Sequence, residues 1–330
     1  MKFVVAGLGS IGRRHLRNLA ALGERDVVLY RTHHSTMPEE DLAGYPVETD
    51  LKAALAGHPD GVVVSNPTSL HLDVAIPAAK AGSHILLEKP IAEDLSQAAE
   101  FEKAVASSGS RVLVGFQFRF HPTLTKARSL MADGAIGRPV SAVAHWGEYL
   151  PGWHPWEDHK SSYAARKDLG GGVVLTLCHP LDYLRWMFGE LESLSAYTAA
   201  SPAEIGTDVD ALAEINLRYQ SGLLGHVHLD YLQRPGSHTL EINGTEGSLR
   251  WDNASAELKL YRASTGSWES FAPPDGFERN WLFSEEMKSF LSLIRNETAS
   301  PCTLEDGIAA LKIVMDVKRS AEEGCLVHYV

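Results

Sequence analysis

The stretch KFVVAGLGSIGRRHLRNLAAL, residues 2–22, decides the fold. Its opening is a β-branched and aromatic run suited to a buried strand, and Arg13 to Leu22 has the spacing of a helix. Between them Gly7, Gly9 and Gly12 stand in the order Gly-x-Gly-x-x-Gly. In a strand-turn-helix setting each has a mechanical use: Gly7 permits the tight turn, Gly9 lets a pyrophosphate approach the backbone, and Gly12 lets helix and strand pack closely. Gly7, Gly9, Ser10, Ile11 and Gly12 are therefore expected to hold a dinucleotide, with phosphates at the positive end of the helix dipole. The competing reading is a glycine turn of purely structural use.

Outward from this stretch the alternation continues. Strands are expected at 27–30, 61–65, 84–87 and 111–114, with helices at 50–56, 70–81 and 95–107 between them, which means a parallel sheet with right-handed crossovers. After Pro122 the pattern changes. A helix at 123–132, a strand at 140–145, an irregular aromatic stretch to Lys167 and an apolar helix from Gly170-Gly171-Gly172 to Phe188 precede several strands between 193 and 261, read as an antiparallel meander. Helices at 281–294 and 304–323 close the chain. The expected fold class is α/β: a Rossmann dinucleotide-binding domain at 1–120, then an α+β domain at 121–330 with a large, mostly antiparallel open sheet for substrate binding and oligomerisation.

A chain of 330 residues is long enough for two cores. Its net charge of −12 argues against nucleic acid or an anionic membrane, because such surfaces are bound by clustered Lys and Arg. No segment approaches the roughly 20 apolar residues that span a bilayer. The apolar start is broken by Gly7 and Gly9 before signal-peptide length. Three widely spaced cysteines suggest neither a disulfide framework nor a zinc knuckle. A cytoplasmic protein acting on a small molecule is expected.

An acid at the end of the second strand would hydrogen-bond the ribose 2′-hydroxyl of NAD, whereas an arginine accommodates the 2′-phosphate of NADP. Here Tyr30-Arg31-Thr32 carries no acid, and Arg13 follows the last glycine. NADP(H) is favoured, with NAD(H) as the alternative.

The glycine loop, Ser65-Asn66-Pro67 with His71, Glu88-Lys89-Pro90, and the Gly-rich helix leading to His179 and Asp182 together resemble the glucose-fructose oxidoreductase, inositol dehydrogenase and MocA family over nearly the whole chain. The resemblance implies cofactor contacts from Ser65, Asn66, Pro67, His71, Glu88 and Lys89. It further implies that Lys89 lies beside nicotinamide and substrate, and that His179 is the acid/base. The chemistry agrees: oxidising a secondary alcohol takes a proton from oxygen as hydride leaves carbon, and an imidazole near neutral pKa with a cationic donor serves both ends. Many relatives carry an aspartate three or four positions before the histidine, where this chain has Leu175 and Thr176. Thr176 can orient or relay but holds no charge, and Asp182 is the candidate substitute.

The segment from Tyr149 to Tyr163 is rich in Trp, His and acids, so Trp153, His154, Trp156 and Tyr163 are expected to bind a polyhydroxylated substrate, against the alternative of a packed aromatic hinge. Arg119 is either a substrate-anion clamp or half of an ion pair. The segments Gly115-Phe-Gln-Phe-Arg-Phe-His-Pro122 and Trp153-His-Pro-Trp-Glu-Asp158 are similar to those of a subgroup associated with cell-surface sugar biosynthesis. His226 and His228 should share one strand face with Asp230, but the family resembled is not metal-dependent and no metal is expected. A sheet face free of helices would expose apolar surface, so a homodimer or homotetramer is expected. Two other functions stay open: a glycosidase-like eliminase with retained cofactor, and a non-catalytic dinucleotide-sensing regulator.

Overall fold

The computed structural model describes residues 1–32, 42–154 and 157–329. Trp156 and the His33-His34 pair fall outside the described residues. The chain forms two compact units, one of Met1–Gln117 with Asp168–Gly170 and Arg279–Leu311, the other of Phe118–Lys167, Gly171–Glu278 and Lys312–Val330.

The first unit contains strands β1 (Lys2–Ala6), β2 (Asp26–Tyr30), β3 (Val47–Glu48), β4 (Gly61–Val64), β5 (His84–Glu88) and β6 (Val112–Gly115). They form one wholly parallel sheet in the order β3-β2-β1-β4-β5-β6. Strands β1, β4 and β6 are buried along their whole length or nearly so, as expected of a sheet covered on both faces. The crossovers carry α1 (Ser10–Ala21), α2 (Leu51–Ala56), α3 (His71–Lys80) and α4 (Ala98–Ser108). Strand β3 was not legible as a two-residue Val-Glu pair, and α4 starts at Ala98 rather than Leu95.

The glycine loop takes the form its sequence demands. Gly7 has φ +85, and a Cβ there would lie 2.3 Å from the Asn66 nitrogen. A Cβ on Gly12 would lie 1.9 Å from the Gly7 carbonyl oxygen. At Gly9 a Cβ meets no protein atom within 4 Å, so the backbone there is open on its side-chain side. The Ser65 hydroxyl, at the end of β4, reaches the carbonyls of Ala6 and Gly7, each at 2.9 Å, and ties the turn to the sheet.

In the second unit lie α5 (Pro122–Ala132), β7 (Pro139–Gly147), α6 (Val173–Thr176), α7 (His179–Phe188), β8 (Leu191–Ala200), β9 (Asp210–Tyr219), β10 (Leu224–Asp230), β11 (Ser237–Gly244), β12 (Gly247–Asp252), β13 (Glu257–Arg262) and β14 (Ser267–Phe271). Helix α8 (Arg279–Ile294) returns to the first unit, where it packs on α1 with the Arg14 guanidinium 4.5 Å from the Phe283 ring centre. Helix α9 (Leu304–Glu323) and β15 (Val327–His328) end the described chain. The second sheet has nine strands in the order β14-β13-β12-β11-β7-β10-β9-β8-β15.

This sheet is mostly antiparallel, as expected, but it is not a simple meander: β7 inserts between β10 and β11 and pairs with β10 in parallel. The helix read from Gly170 to Phe188 is two helices, α6 and α7, separated at Leu177-Cys178, with Pro180 in the first turn of α7. Proline lacks the N–H that an uninterrupted helix would use there. Helices α5, α6 and α7 cover one face, where β9 buries Ala211, Ala213, Ile215, Leu217 and Tyr219 at period two. Val143, Leu224 and Tyr197 of other strands are exposed, Tyr197 to 75%.

Gly12→Ala is expected to lower stability by about 1–3 kcal/mol, the ordinary cost of forcing atoms into a packed site, because the clash is with backbone. A thermal melt of the purified variant reads this; an unchanged melting temperature would refute the close-packing role.

Candidate active site

Four of the six parallel strands of the first unit deliver candidate residues at their carboxyl ends. Gly7 follows β1, Arg31 follows β2, Ser65-Asn66-Pro67 follow β4, and Glu88-Lys89 end and follow β5. Ligands of open parallel sheets bind outside those ends, at the switch point between oppositely directed crossovers, here β1 and β4. Helix α1 opens with Gly9 as N-cap and no side-chain cap, leaving the N–H groups of Ser10 and Ile11 to an anion. The open side of Gly9, the uncapped helix and the glycine turn all fit a dinucleotide.

His71 fixes the neighbouring loops: its Nδ1 lies 2.8 Å from the Pro90 carbonyl and its Nε2 2.9 Å from the Asn66 carbonyl. Burial pushes its pKa below the ordinary histidine value. The Lys89-Pro90 peptide is cis. Arg13 is buried, and its Nε donates to the Leu8 carbonyl at 2.9 Å, so it braces the glycine turn. Arg31 is also largely buried.

A charged cluster that the sequence reading missed lies behind Lys89. His15 Nε2, from α1, meets Glu88 Oε1 at 2.7 Å, and Glu286 of α8 brings a donor atom within 4.8 Å of both. Glu286 is 0% exposed, and neither of its carboxylate oxygens has a hydrogen-bond partner among the described residues. Burial, and then the negative charge of Glu88, raise its pKa well above the ordinary carboxyl value. For Glu88 burial alone would raise the pKa, but the hydrogen bond and charge of His15, followed by Lys89, outweigh it and hold the carboxyl low. The pair has divided its labour: Glu88 carries the charge and Glu286 the proton. Only the spacing of His15 three residues beyond Gly12 hinted at this; Glu286 reads as an ordinary polar position of an amphipathic helix.

In the second unit His179 begins α7 and is buried against Phe118, at 5.0 Å between ring centres and 72°, and Trp146, at 5.5 Å. His238 stacks on Trp146 at 4.3 Å and 2°, and Tyr183 Oη lies 3.2 Å from its Nε2. Burial pushes His238 well below the usual histidine value and His121 down to about 4, so both are neutral imidazoles of an aromatic core. Sequence reasoning had not placed Phe118 or Trp146 beside His179, nor His238 against Trp146, since they come from separate segments.

Asp182 and Arg119, both expected at a substrate, are joined to one another. Arg119 Nη2 donates to Oδ1 at 2.7 Å and Nε to Oδ2 at 3.1 Å, with side chains 3% and 2% exposed. Thr176 ends α6, one turn before His179, and is buried. In the aromatic segment His154 Nδ1 lies 2.8 Å from Glu157 Oε1, while Trp153 meets Tyr231 edge-on at 5.5 Å. Trp153 lines a cleft of about 350 Å³ shared with Glu148, Tyr149, Arg234, His238 and Asn253. Tyr163 opens a short 3₁₀ turn, Tyr163–Ala165.

A parallel sheet in this order, with the glycine turn before α1, defines a dinucleotide-binding domain of the Rossmann class. Residues 1–116 match the oxidoreductase family with NAD-binding Rossmann fold, and residues 124–250 match the GFO/IDH/MocA C-terminal domain. The chain belongs to the glucose-fructose oxidoreductase, inositol dehydrogenase and MocA family. It is 28% identical over 281 residues to 1,5-anhydro-D-fructose reductase of Ensifer adhaerens, covering 82% of this chain and 80% of that one. Myo-inositol 2-dehydrogenase of Thermotoga maritima is 27% identical over 340 residues, covering 98% and 97%. The solved structure of levoglucosan dehydrogenase in complex with NADH and levoglucosan superposes with a TM-score of 0.86 at 23% identity, covering 99% of each chain, a likeness of fold. No helix among the described residues is long and apolar enough to cross a membrane.

Glu286→Gln is expected to raise the melting temperature, and more so as pH rises. A carboxyl whose pKa is raised on folding binds more protons folded than unfolded, so wild-type stability falls by about 1.4 kcal/mol per pH unit above the ordinary carboxyl value until Glu286 ionises. Glutamine has no such penalty. Melts from pH 5 to 8, taken about one unit apart, measure the difference; a gain that shrinks with rising pH would overturn the neutral-acid assignment.

Proposed function

We propose that this enzyme moves hydride between a nicotinamide and a secondary alcohol or ketone of a sugar, sugar derivative or cyclitol. The observation that carries the reading is the convergence of the glycine loop, Ser65-Asn66-Pro67 and Lys89 at the carboxyl ends of adjacent strands β1, β4 and β5. The relatives named as reductases and dehydrogenases of anhydro-sugars and inositol support the substrate class. The bound nicotinamide supplies the hydride acceptor or donor. On this reading Gly7 to Gly12 hold the pyrophosphate, Lys89 hydrogen-bonds the reacting oxygen and favours negative charge on it, and His179 takes up or returns the hydroxyl proton. Trp153 and the cleft it lines offer ring faces and polar groups suited to a polyhydroxylated ligand.

The Arg119–Asp182 pair is best assigned to holding α7, and thereby His179, rather than to contacting substrate. The two side chains are joined by a buried bidentate bond. For the cofactor, Arg31 after β2, with no acid at that strand end, favours NADP(H) over NAD(H).

A screen of sugars and cyclitols for cofactor reduction finds the substrate, and variants then test the roles. His179→Ala and Lys89→Met are each expected to lower turnover by at least about 100-fold while dinucleotide affinity stays near wild type. Near-wild-type turnover in a folded His179→Ala protein would move the acid/base elsewhere. By calorimetry NADPH should bind more tightly than NADH, and Arg31→Ala should cost NADPH about 10-fold or more, the loss of one charge-assisted bond, with little effect on NADH. Tighter NADH binding by the unmodified protein would remove the cofactor assignment.

A further inference from the structure

We propose that the open face of the second sheet carries a binding site for one divalent cation of the zinc class, formed by His145, His228, Asp230 and Gln233. This rests on the geometry of the second unit and not on the hydride-transfer reading.

The parallel register of β7 and β10 sets His145 beside His228, and their rings stack at 4.5 Å and 6°. Donor atoms of His145, His228 and Asp230 all lie within 4.8 Å of one another. His228 Nε2 is 2.9 Å from Asp230 Oδ2, and His145 Nε2 contacts Gln233 Oε1. Those two oxygens converge on one spot: an ideal Cβ on Gly147, at the end of β7, would lie 2.2 Å from Asp230 Oδ2 and 2.3 Å from Gln233 Oε1. Glycine at 147 therefore admits both oxygens, which any side chain there would displace, and together with the two imidazoles they make a set of two nitrogens and two oxygens. That donor set suits a borderline cation that accepts tetrahedral geometry, and not magnesium, which prefers oxygen.

The surrounding bonds orient the ligands as a metal requires. Glu214 Oε1 accepts from His228 Nδ1 at 2.7 Å and holds the proton on that nitrogen, so that a cation would take the place of the Nε2 proton that now bridges to Asp230 Oδ2. Asp230 Oδ1 accepts the backbone N–H groups of Leu232 at 2.6 Å and Gln233 at 2.7 Å, which fixes the carboxylate with Oδ2 turned to His228 Nε2, where the ion would replace the shared proton. His226, grouped with His228 on sequence grounds, is instead engaged by Glu214 at 3.1 Å and Asn216 at 3.1 Å, and is outside the ligand set. Coordination at about 2.0–2.2 Å needs the two stacked rings to pivot until both nitrogens aim at one point. Both histidines are partly exposed, so the pivot disturbs no core packing.

The test uses the untagged full-length protein, stripped with a chelator, dialysed and titrated with zinc sulfate by calorimetry, with magnesium chloride as the control titration. One zinc per chain is expected, with no magnesium binding. His145→Ala and His228→Ala should each abolish the saturable isotherm. Glu214→Gln should weaken it by about 10- to 100-fold through the lost orienting carboxylate. His226→Ala should retain it. Cobalt titration supplies a second readout, since tetrahedral coordination gives intense visible absorption that the His145→Ala protein should lack. NADPH affinity and melting temperature of the stripped variants serve as the folding check. No saturable zinc binding by the unmodified protein, or binding that survives His145→Ala in a folded protein, would overturn the site.

Discussion

With a Cβ at Gly12 the Gly7 carbonyl would stand 1.9 Å away, and no rotation of a side chain relieves a clash with backbone. This close approach of helix α1 to the turn after β1 is the constraint on which the first unit depends. It brings the helix N-terminus to the carboxyl ends of the strands, where its dipole faces the place a pyrophosphate takes. It also brings His15, on the first turns of α1, to 2.7 Å from Glu88, at the end of β5. The same helix that presents phosphate-binding amides is thereby clamped to the residue preceding Lys89. Ser65 adds a third tie, bonding the turn from β4.

The cost of that clamp appears as electrostatics. Glu88 keeps its charge because His15 and Lys89 offset the loss of water, and Glu286, facing the same charge without such partners, is held neutral. A second buried carboxylate would be severely penalised at this distance, whereas a buried carboxylic acid is only a polar group short of a bond. Helix α8 thus closes over α1 with a proton in place of a counter-ion.

How much of this was legible varies with how local the signal is. The glycine turn, the alternation of strands and helices and the change of pattern after Pro122 are local, and the sheets they imply are present. The return of α8 to the first unit depends on which apolar face meets Phe283 and Arg14, and a single amphipathic helix does not declare its partner. Insertion of β7 between β10 and β11 was hidden for a related reason: strands of equal alternation can pair in several orders. The residues of the candidate sites follow the same rule. Lys89 and His179 sit in recognisable motifs, while Glu286, Trp146, His238 and His145 acquire their neighbours only from long-range pairing.

Asp182 illustrates how pairing limits what a candidate can do. By spacing it could replace the aspartate that Leu175 and Thr176 displace, but its two oxygens are bonded to Arg119 in a pair nearly sealed from water. Freeing the carboxylate would break a buried ion pair, a loss of the order of 3–5 kcal/mol when one partner of such a pair is removed. Its charge is therefore matched by that of Arg119 within the second unit. What Asp182 can still provide is direction: by anchoring α7 through a two-pronged bond it fixes the helix that starts at His179, whose ring is packed by Phe118 and Trp146. Thr176, a turn earlier, adds a hydroxyl without a charge. In place of an Asp–His pair, this chain has a histidine whose ring is held by packing and by the anchored helix it begins.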